Sequence, residues 1–183
     1  SFPHVVKAAT MAEMILLTLN YPKRTAELAK IAGYMHDIGN IVNRIDHAQS
    51  GAVMAFRLLD RMGMDPAEIA MGISSGVSLQ AKPNIMPWSP APVTNSSVSA
   101  PVLVSRDVRR SRVRNHDFAS FDIHDRVNYA VEESKIYFNE DNSAIILDLK
   151  IDTSISAVMD YFEIFLGRMM LSRKAAEFLN ISF

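Results

Sequence analysis

Apolar positions in the first third of the chain recur at helical spacing. Val5, Ala8, Ala9, Ala12, Ile15, Leu16 and Leu19 fall at three- and four-residue intervals, which predicts one amphipathic helix. Tyr21-Pro22 interrupts the pattern, and Pro22 suits the first turn of a second helix. That helix runs towards Met35, His36 and Asp37, with Gly39-Asn40 as its stop. Asp46 with Gln49 three residues later reads as a capping box for a third helix, which carries Ala52, Phe56 and Leu59 on one face. Asp65-Pro66 with Glu68 opens a fourth in the same way.

The pattern then fails. From Ser74 to Pro101 neither a helical nor a strand period survives, and five of the eight prolines fall within Pro83–Pro101. Proline at that density forbids a continuous helix. So long a patternless stretch implies a functional loop, a linker or an anomaly. Order returns with an arginine run, Arg106, Arg109, Arg110, Arg112 and Arg114. Ser134–Asn139 and Ala144–Ile151 read as two strands around Glu140-Asp141-Asn142, with Leu147, Leu149 and Ile151 alternating against Asp148 and Lys150. The last element is a long helix whose expected core face is Ile155, Val158, Met159, Phe162, Phe165, Leu166 and Met169. Tyr161, Ile164, Met170 and Leu171 widen that face beyond one stripe, so burial on two sides or a dimer contact is expected.

Composition narrows the class. The chain has 183 residues, 49% hydrophobic and 21% charged, which suits a globular protein with a sizeable core. No apolar run reaches the ~18 residues of a membrane span. A net charge of −1 does not mark a nucleic-acid or membrane-surface binder. The absence of cysteine removes disulfides, thiol nucleophiles and thiolate metal sites, and fits a cytoplasmic location. No signal-peptide pattern opens the chain, and its apolar last residues read as a cut end, so a fragment of a slightly longer protein is expected.

Candidate chemistry concentrates in the histidines. Three of the five, His4, His36 and His47, lie in the first 47 residues, and Asp37 is next to His36. Neighbouring helical side chains diverge by about 100°. His36 and Asp37 therefore converge on one ion only near the helix end, and a third ligand must come from another helix, where His4 is available. Imidazole with carboxylate suits a divalent Mn, Fe, Co, Zn or Mg ion, which would acidify a bound water and neutralise phosphoryl oxygens. The alternative is a buried, hydrogen-bonded His36 beside a solvated Asp37.

The string AGYMHDIGNIVNRIDHAQSGAVMAF resembles the core of the HD-domain superfamily of metal-dependent phosphohydrolases. The stretch RDVRRSRVRNHDFASFDIHDRVNYAVEES resembles one bacterial branch of uncertain substrate, in which a hairpin and a long helix follow the bundle. The likeness covers Pro3–Ile73 and Arg106–Phe183. It implies a mainly α fold, an HD-type helical bundle over 1–131 followed by a small β-hairpin and a long C-terminal helix over 132–183. It implies that His4, His36 and Asp37 bind the metal, with His36 and Asp37 as the catalytic pair, and that His47 serves a second metal or the substrate phosphate. The implied substrate is a small phosphoester, a nucleotide at the level of the family.

The departure from that branch is specific. An Asn-His-Asp-Glu-type motif and a helix ending in Ala-Asp are expected between the fourth helix and the arginine run. Here no His, Asp or Glu occurs between Ser74 and Ser105, and the place of the closing Asp falls near Val104. Asp107 is the nearest carboxylate that could substitute. A remodelled loop, a binding protein that has lost catalysis, and a segment read in a displaced frame all fit. The non-enzymatic alternative is an HD-fold ligand-binding or dimeric interaction module.

Among the remaining residues, Arg109 and Arg110 are candidate clamps for a substrate phosphate, against the alternative of a solvated, ion-paired helix face. His116-Asp117 and His124-Asp125 repeat the dipeptide without the leading histidine and are read as structural. Trp88 reads as an exposed loop residue. The eleven methionines, among them Met11, Met14, Met35, Met54 and Met71, read as core packing. A homodimer is an expected partner; nucleic acid and membrane are not.

Overall fold

A computed structural model describes residues 2–43, 47–70, 110, 113 and 118–183. The segment 74–105, Trp88, Asp46, Asp107, Arg109 and His116-Asp117 lie outside the described residues. The architecture is mainly α with one hairpin and a long last helix, as the sequence suggests. In chain order the elements are α1 (Phe2–Thr18), α2 (Lys23–Met35), a 3-10 turn (Ile38–Ile41), α3 (His47–Arg61) and a short α4 (Pro66–Glu68). A second 3-10 turn (Phe118–Ser120), α5 (Ile123–Ala130), β1 (Val131–Phe138), β2 (Ile145–Ile151) and α6 (Val158–Phe178) follow.

Helices α1 and α2 form an antiparallel pair closed by a four-residue link. The pair is held by small side chains: Ala8 and Ala12 of α1 and Ala26 and Ala29 of α2 are all buried. At Gly33 the approach is closest, because a Cβ there would stand 2.7 Å from the Ala9 Cα and 3.0 Å from its amide nitrogen. Any larger residue would push the backbones apart. Lys30 of α2 adds a 2.6 Å ion pair to Glu13 of α1.

Three apolar clusters build the interior. Ile15, Leu16 and the alanines of the α1–α2 pair meet Ile145 of β2 and Ala175, Ala176, Leu179 and Ile181 of the chain's end. Leu28, Ala32 and Met35 of α2 meet Ala55 and Leu59 of α3 and Ile69. Val127 and Val131 meet Tyr161 and Phe165 of α6, with Leu149 and Ile151 beside them. Thus α6 is buried on two sides at different heights, against the hairpin first and against α1–α2 later. A short parallel bridge, Ala144 with Ser182, ties the chain's end to the start of β2.

The antiparallel hairpin pairs Phe138 with Ile145 and Val131 with Ile151, with an irregularity between Val131 and Glu133. Its turn contains Asn142 at φ 59°, a conformation that Asn tolerates better than most residues. Gly63, at φ 81°, takes the same left-handed role after α3.

Several local expectations need correction. Helix α2 ends at Met35, so Gly39 does not stop it but lies inside the following 3-10 turn. The first strand begins at Val131 rather than Ser134, because α5 runs directly into it. The buried face of α6 is Tyr161, Phe165, Ser172, Ala175 and Ala176. Much of the expected face is instead exposed. A helix that is apolar nearly all round does not announce which side is buried, and here Ala175 and Ala176, late in the helix, join the cluster built on α1 and α2. Among the named methionines Met35 is buried as expected, whereas Met14 is 43% exposed.

Candidate metal centre

Two features of the α1–α2 pair position the centre. Antiparallel packing puts the first turn of α1 beside the last turn of α2, so His4 meets His36. The tight contact of Gly33 with Ala8 and Ala9 fixes the separation of the two helices one turn away. His4 and His36 are both buried, and their Nε2 atoms lie 3.2 Å apart with rings in an edge-on arrangement. The helix breaks immediately afterwards. His36 still has helical angles, whereas Asp37 has φ −106° and ψ 6° at the start of the 3-10 turn. That break overcomes the divergence of neighbouring helical side chains and brings Asp37 Oδ2 to 3.4 Å from His36 Nε2.

His36 Nδ1 lies 2.7 Å from the carbonyl oxygen of Gly33. A carbonyl only accepts, so Nδ1 carries the proton and donates it. In the neutral ring Nε2 then presents its lone pair, the arrangement in which a ligating imidazole is oriented by a backbone acceptor. Without an ion, His4 Nε2–H can donate to that lone pair. With an ion, both nitrogens face it.

The donor set fits a divalent metal. Among the described residues His4, His36 and Asp37 are the one group of three or more His, Asp or Glu side chains whose ligand atoms all lie within 4.8 Å of one another. Two nitrogens each ~2.0–2.1 Å from one ion, at tetrahedral to octahedral angles, are roughly 2.8–3.4 Å apart. The observed 3.2 Å falls in that interval. Two buried nitrogens and one partly exposed carboxylate leave one side of the group open.

The other sequence candidates separate from this group. His47 begins α3, and its backbone is pressed against the 3-10 turn that follows Asp37: a Cβ on Gly39 would stand 1.7 Å from the His47 carbonyl oxygen. His47 is therefore held next to the turn, but its ring is not part of the three-residue cluster. Arg110 is engaged elsewhere. Its Nε donates to the Tyr129 carbonyl at 2.9 Å, its guanidinium stacks over the Tyr129 ring at 4.5 Å, and one nitrogen is 3.7 Å from Asp152 Oδ2. Those contacts fasten it between α5 and the end of β2. His124-Asp125 sits in the first turn of α5, where the Asp125 amide donates to the capping Asp122 carboxylate at 2.7 Å.

Two positions escaped the sequence reading. Gly33 supplies both the close helix contact and the acceptor for His36, and Gly39 lets α3 dock on the turn. A signal for the first was present, since Ala29 and Gly33 face Ala8, Ala9 and Ala12 as a stripe of small residues on each helix.

Residues 2–82 match the family model described as HD domain, and all three clustered residues lie within that match. That match supports membership of the HD-domain superfamily for this part of the chain. That superfamily suggests metal-dependent phosphohydrolases, and the His4–His36–Asp37 group within the match could hold a divalent ion. No curated protein and no solved structure gives a match. No helix among the described residues is long and apolar enough to cross a membrane.

Proposed function

We propose that the protein is a metal-dependent phosphohydrolase acting on a small phosphoester, with a nucleotide as the first substrate class to test. The observation that supports this most is the 3.2 Å approach of His4 Nε2 to His36 Nε2, with Asp37 alongside, inside the segment matched by the HD model. In this reading His4, His36 and Asp37 hold a Mn, Fe, Co, Zn or Mg ion. Such an ion supplies Lewis acidity to a phosphoryl group and lowers the pKa of water. Gly33 keeps His36 in the tautomer that presents Nε2. Asp37, at the exposed edge, offsets one charge of the ion and is also placed to accept a proton from water at that edge. His47, Asp107 and Arg109 enter this reading from the sequence alone, as a contact to a second ion or phosphate, a substitute ligand and a phosphate clamp.

The test is hydrolysis of p-nitrophenyl phosphate, its bis-ester and nucleoside phosphates, each with chelator and with added Mn²⁺. The reading expects turnover that chelation abolishes and metal restores. Turnover indifferent to chelator, or undiminished in His36→Ala, would overturn it.

A second reading is favoured by one specific feature, the absence of any His, Asp or Glu between Ser74 and Ser105. With three protein ligands an ion is still held, but general acid or base assistance is reduced. The protein would then bind a phosphorylated ligand without turning it over. Thermal stabilisation by nucleotide with no product formed would favour this reading over the first.

A further inference from the structure

The outer face of α6 carries an apolar stripe that no described residue covers. Met159 is 72% exposed, Leu166 54%, Met170 47% and Phe162 42%. These side chains share one side of the helix, opposite Tyr161, Phe165, Ser172, Ala175 and Ala176, which are buried. An uncovered apolar face rich in Met and Phe is the composition of a protein interface, and isolated exposed residues would not line up this way.

The charges on the same face say what fits it. The first half of α6 carries Asp160 and Glu163 and no basic residue, whereas the second half carries Arg168, Arg173 and Lys174 with one acid, Glu177. Glu163 and Lys174 are eleven residues apart, which is about three turns, so both point to the exposed side. Both are exposed, and neither makes an ion pair among the described residues. A second α6 lying parallel would set Glu163 beside Glu163. Lying antiparallel, with the crossing near residue 168, it sets Glu163 of each copy against Lys174 of the other. The same register places Leu166 and Gly167 opposite Met170. Gly167 has no side chain to hold Met170 away. Every contact occurs twice, as a two-fold axis requires.

We infer that this face of α6 is a homodimer interface, with the second copy's α6 packed on it antiparallel. The interface is independent of the metal centre, which lies at the far ends of α1 and α2. One helix pair is small for an interface, so dissociation falls at about the micromolar level or weaker.

Sedimentation equilibrium on the full chain tests this. The wild type is expected to approach twice 20.4 kDa at about 100 μM. Leu166→Asp is expected to remain at 20.4 kDa with an unchanged circular dichroism spectrum, since the side chain is half exposed in the monomer. Glu163→Lys is expected to raise the dissociation constant about tenfold, and Glu163→Lys combined with Lys174→Glu to return it to within about threefold of wild type. A wild type that stays monomeric at that concentration overturns the inference. So does a dimer indifferent to Leu166→Asp, or a double exchange as weak as the single one. Coverage of the stripe by other parts of the same chain would give the first of these results.

Discussion

His36-Asp37 and His124-Asp125 are the same dipeptide in two settings. At the end of α2 the helix breaks, a second histidine arrives from an antiparallel neighbour, and a backbone carbonyl fixes the ring. At the start of α5 the histidine is exposed, and the amide of the following aspartate is bound by the capping Asp122. Two residues alike in sequence thus differ in burial and in company. The chemistry belongs to the packing of α1 on α2, and the dipeptide contributes only two of its atoms.

The strongest way to sharpen that contrast is to remove each histidine in turn. His36→Ala is expected to lower affinity for a divalent ion by at least ~100-fold, whereas His124→Ala leaves it unchanged, by isothermal titration with Mn²⁺ or Co²⁺. Equal effects at the two positions would dissolve the distinction.

Gly33→Ala tests whether helix packing sets the site. Its Cβ would meet the Ala9 backbone, which cannot swing aside as a side chain can. The expected cost is about 1–3 kcal/mol by urea denaturation. Displacement of His4 from His36 is expected to lower metal affinity by about 10–100-fold, the range typical of lost outer-shell support. Metal affinity that survives the loss of stability would show that the ligands find each other without this contact.

On the other side of the comparison, Asp122→Ala removes the cap of α5. It is expected to cost about 1 kcal/mol while metal binding stays at the wild-type level. The smallest effect is expected from Arg24→Ala, which frees α4 from the helix that carries His36. Arg24 bonds both Glu68 and Glu27, and its guanidinium holds the Glu68 carboxyl below its usual range. The sign follows from that depression. Charged Glu68 stabilises the fold above the ordinary glutamate pKa, and the contribution disappears as pH falls through the lowered value. Because the pair is well exposed, the melting temperature at pH 7 should fall by no more than about 2 °C. The difference between wild type and Arg24→Ala should shrink as the pH of the melts is taken below the ordinary glutamate range.

Much of this was legible from residue pattern. The period of α1, the Asp65-Pro66 start of α4, the hairpin and the existence of α6 all follow from local spacing and turn chemistry. The resemblance of the His-Asp string to the HD superfamily named the three residues that the structure brings together. What escaped was tertiary. The core side of α6 is set by the clusters it joins, Ala175 and Ala176 with the α1–α2 pair and Tyr161 and Phe165 with the hairpin, and a periodicity apolar on every side contains no such choice. The end of α2 lies four residues before its apparent stop because Gly39 is required for contact with α3 rather than for termination. Arg110 looked like a phosphate ligand by its place in a basic run, and its neighbours Tyr129 and Asp152 become visible only when α5 and β2 are folded beside it.

The central claim is that the contacts around His36-Asp37, and not the dipeptide, make a metal centre. Elemental mass spectrometry on wild type, His36→Ala and His124→Ala, each reconstituted with a mixture of divalent ions and then desalted, tests it directly. The account predicts about one transition-metal ion per chain in wild type and in His124→Ala, and none in His36→Ala. A wild type that retains no metal, or a His36→Ala protein that retains as much as wild type, would contradict it.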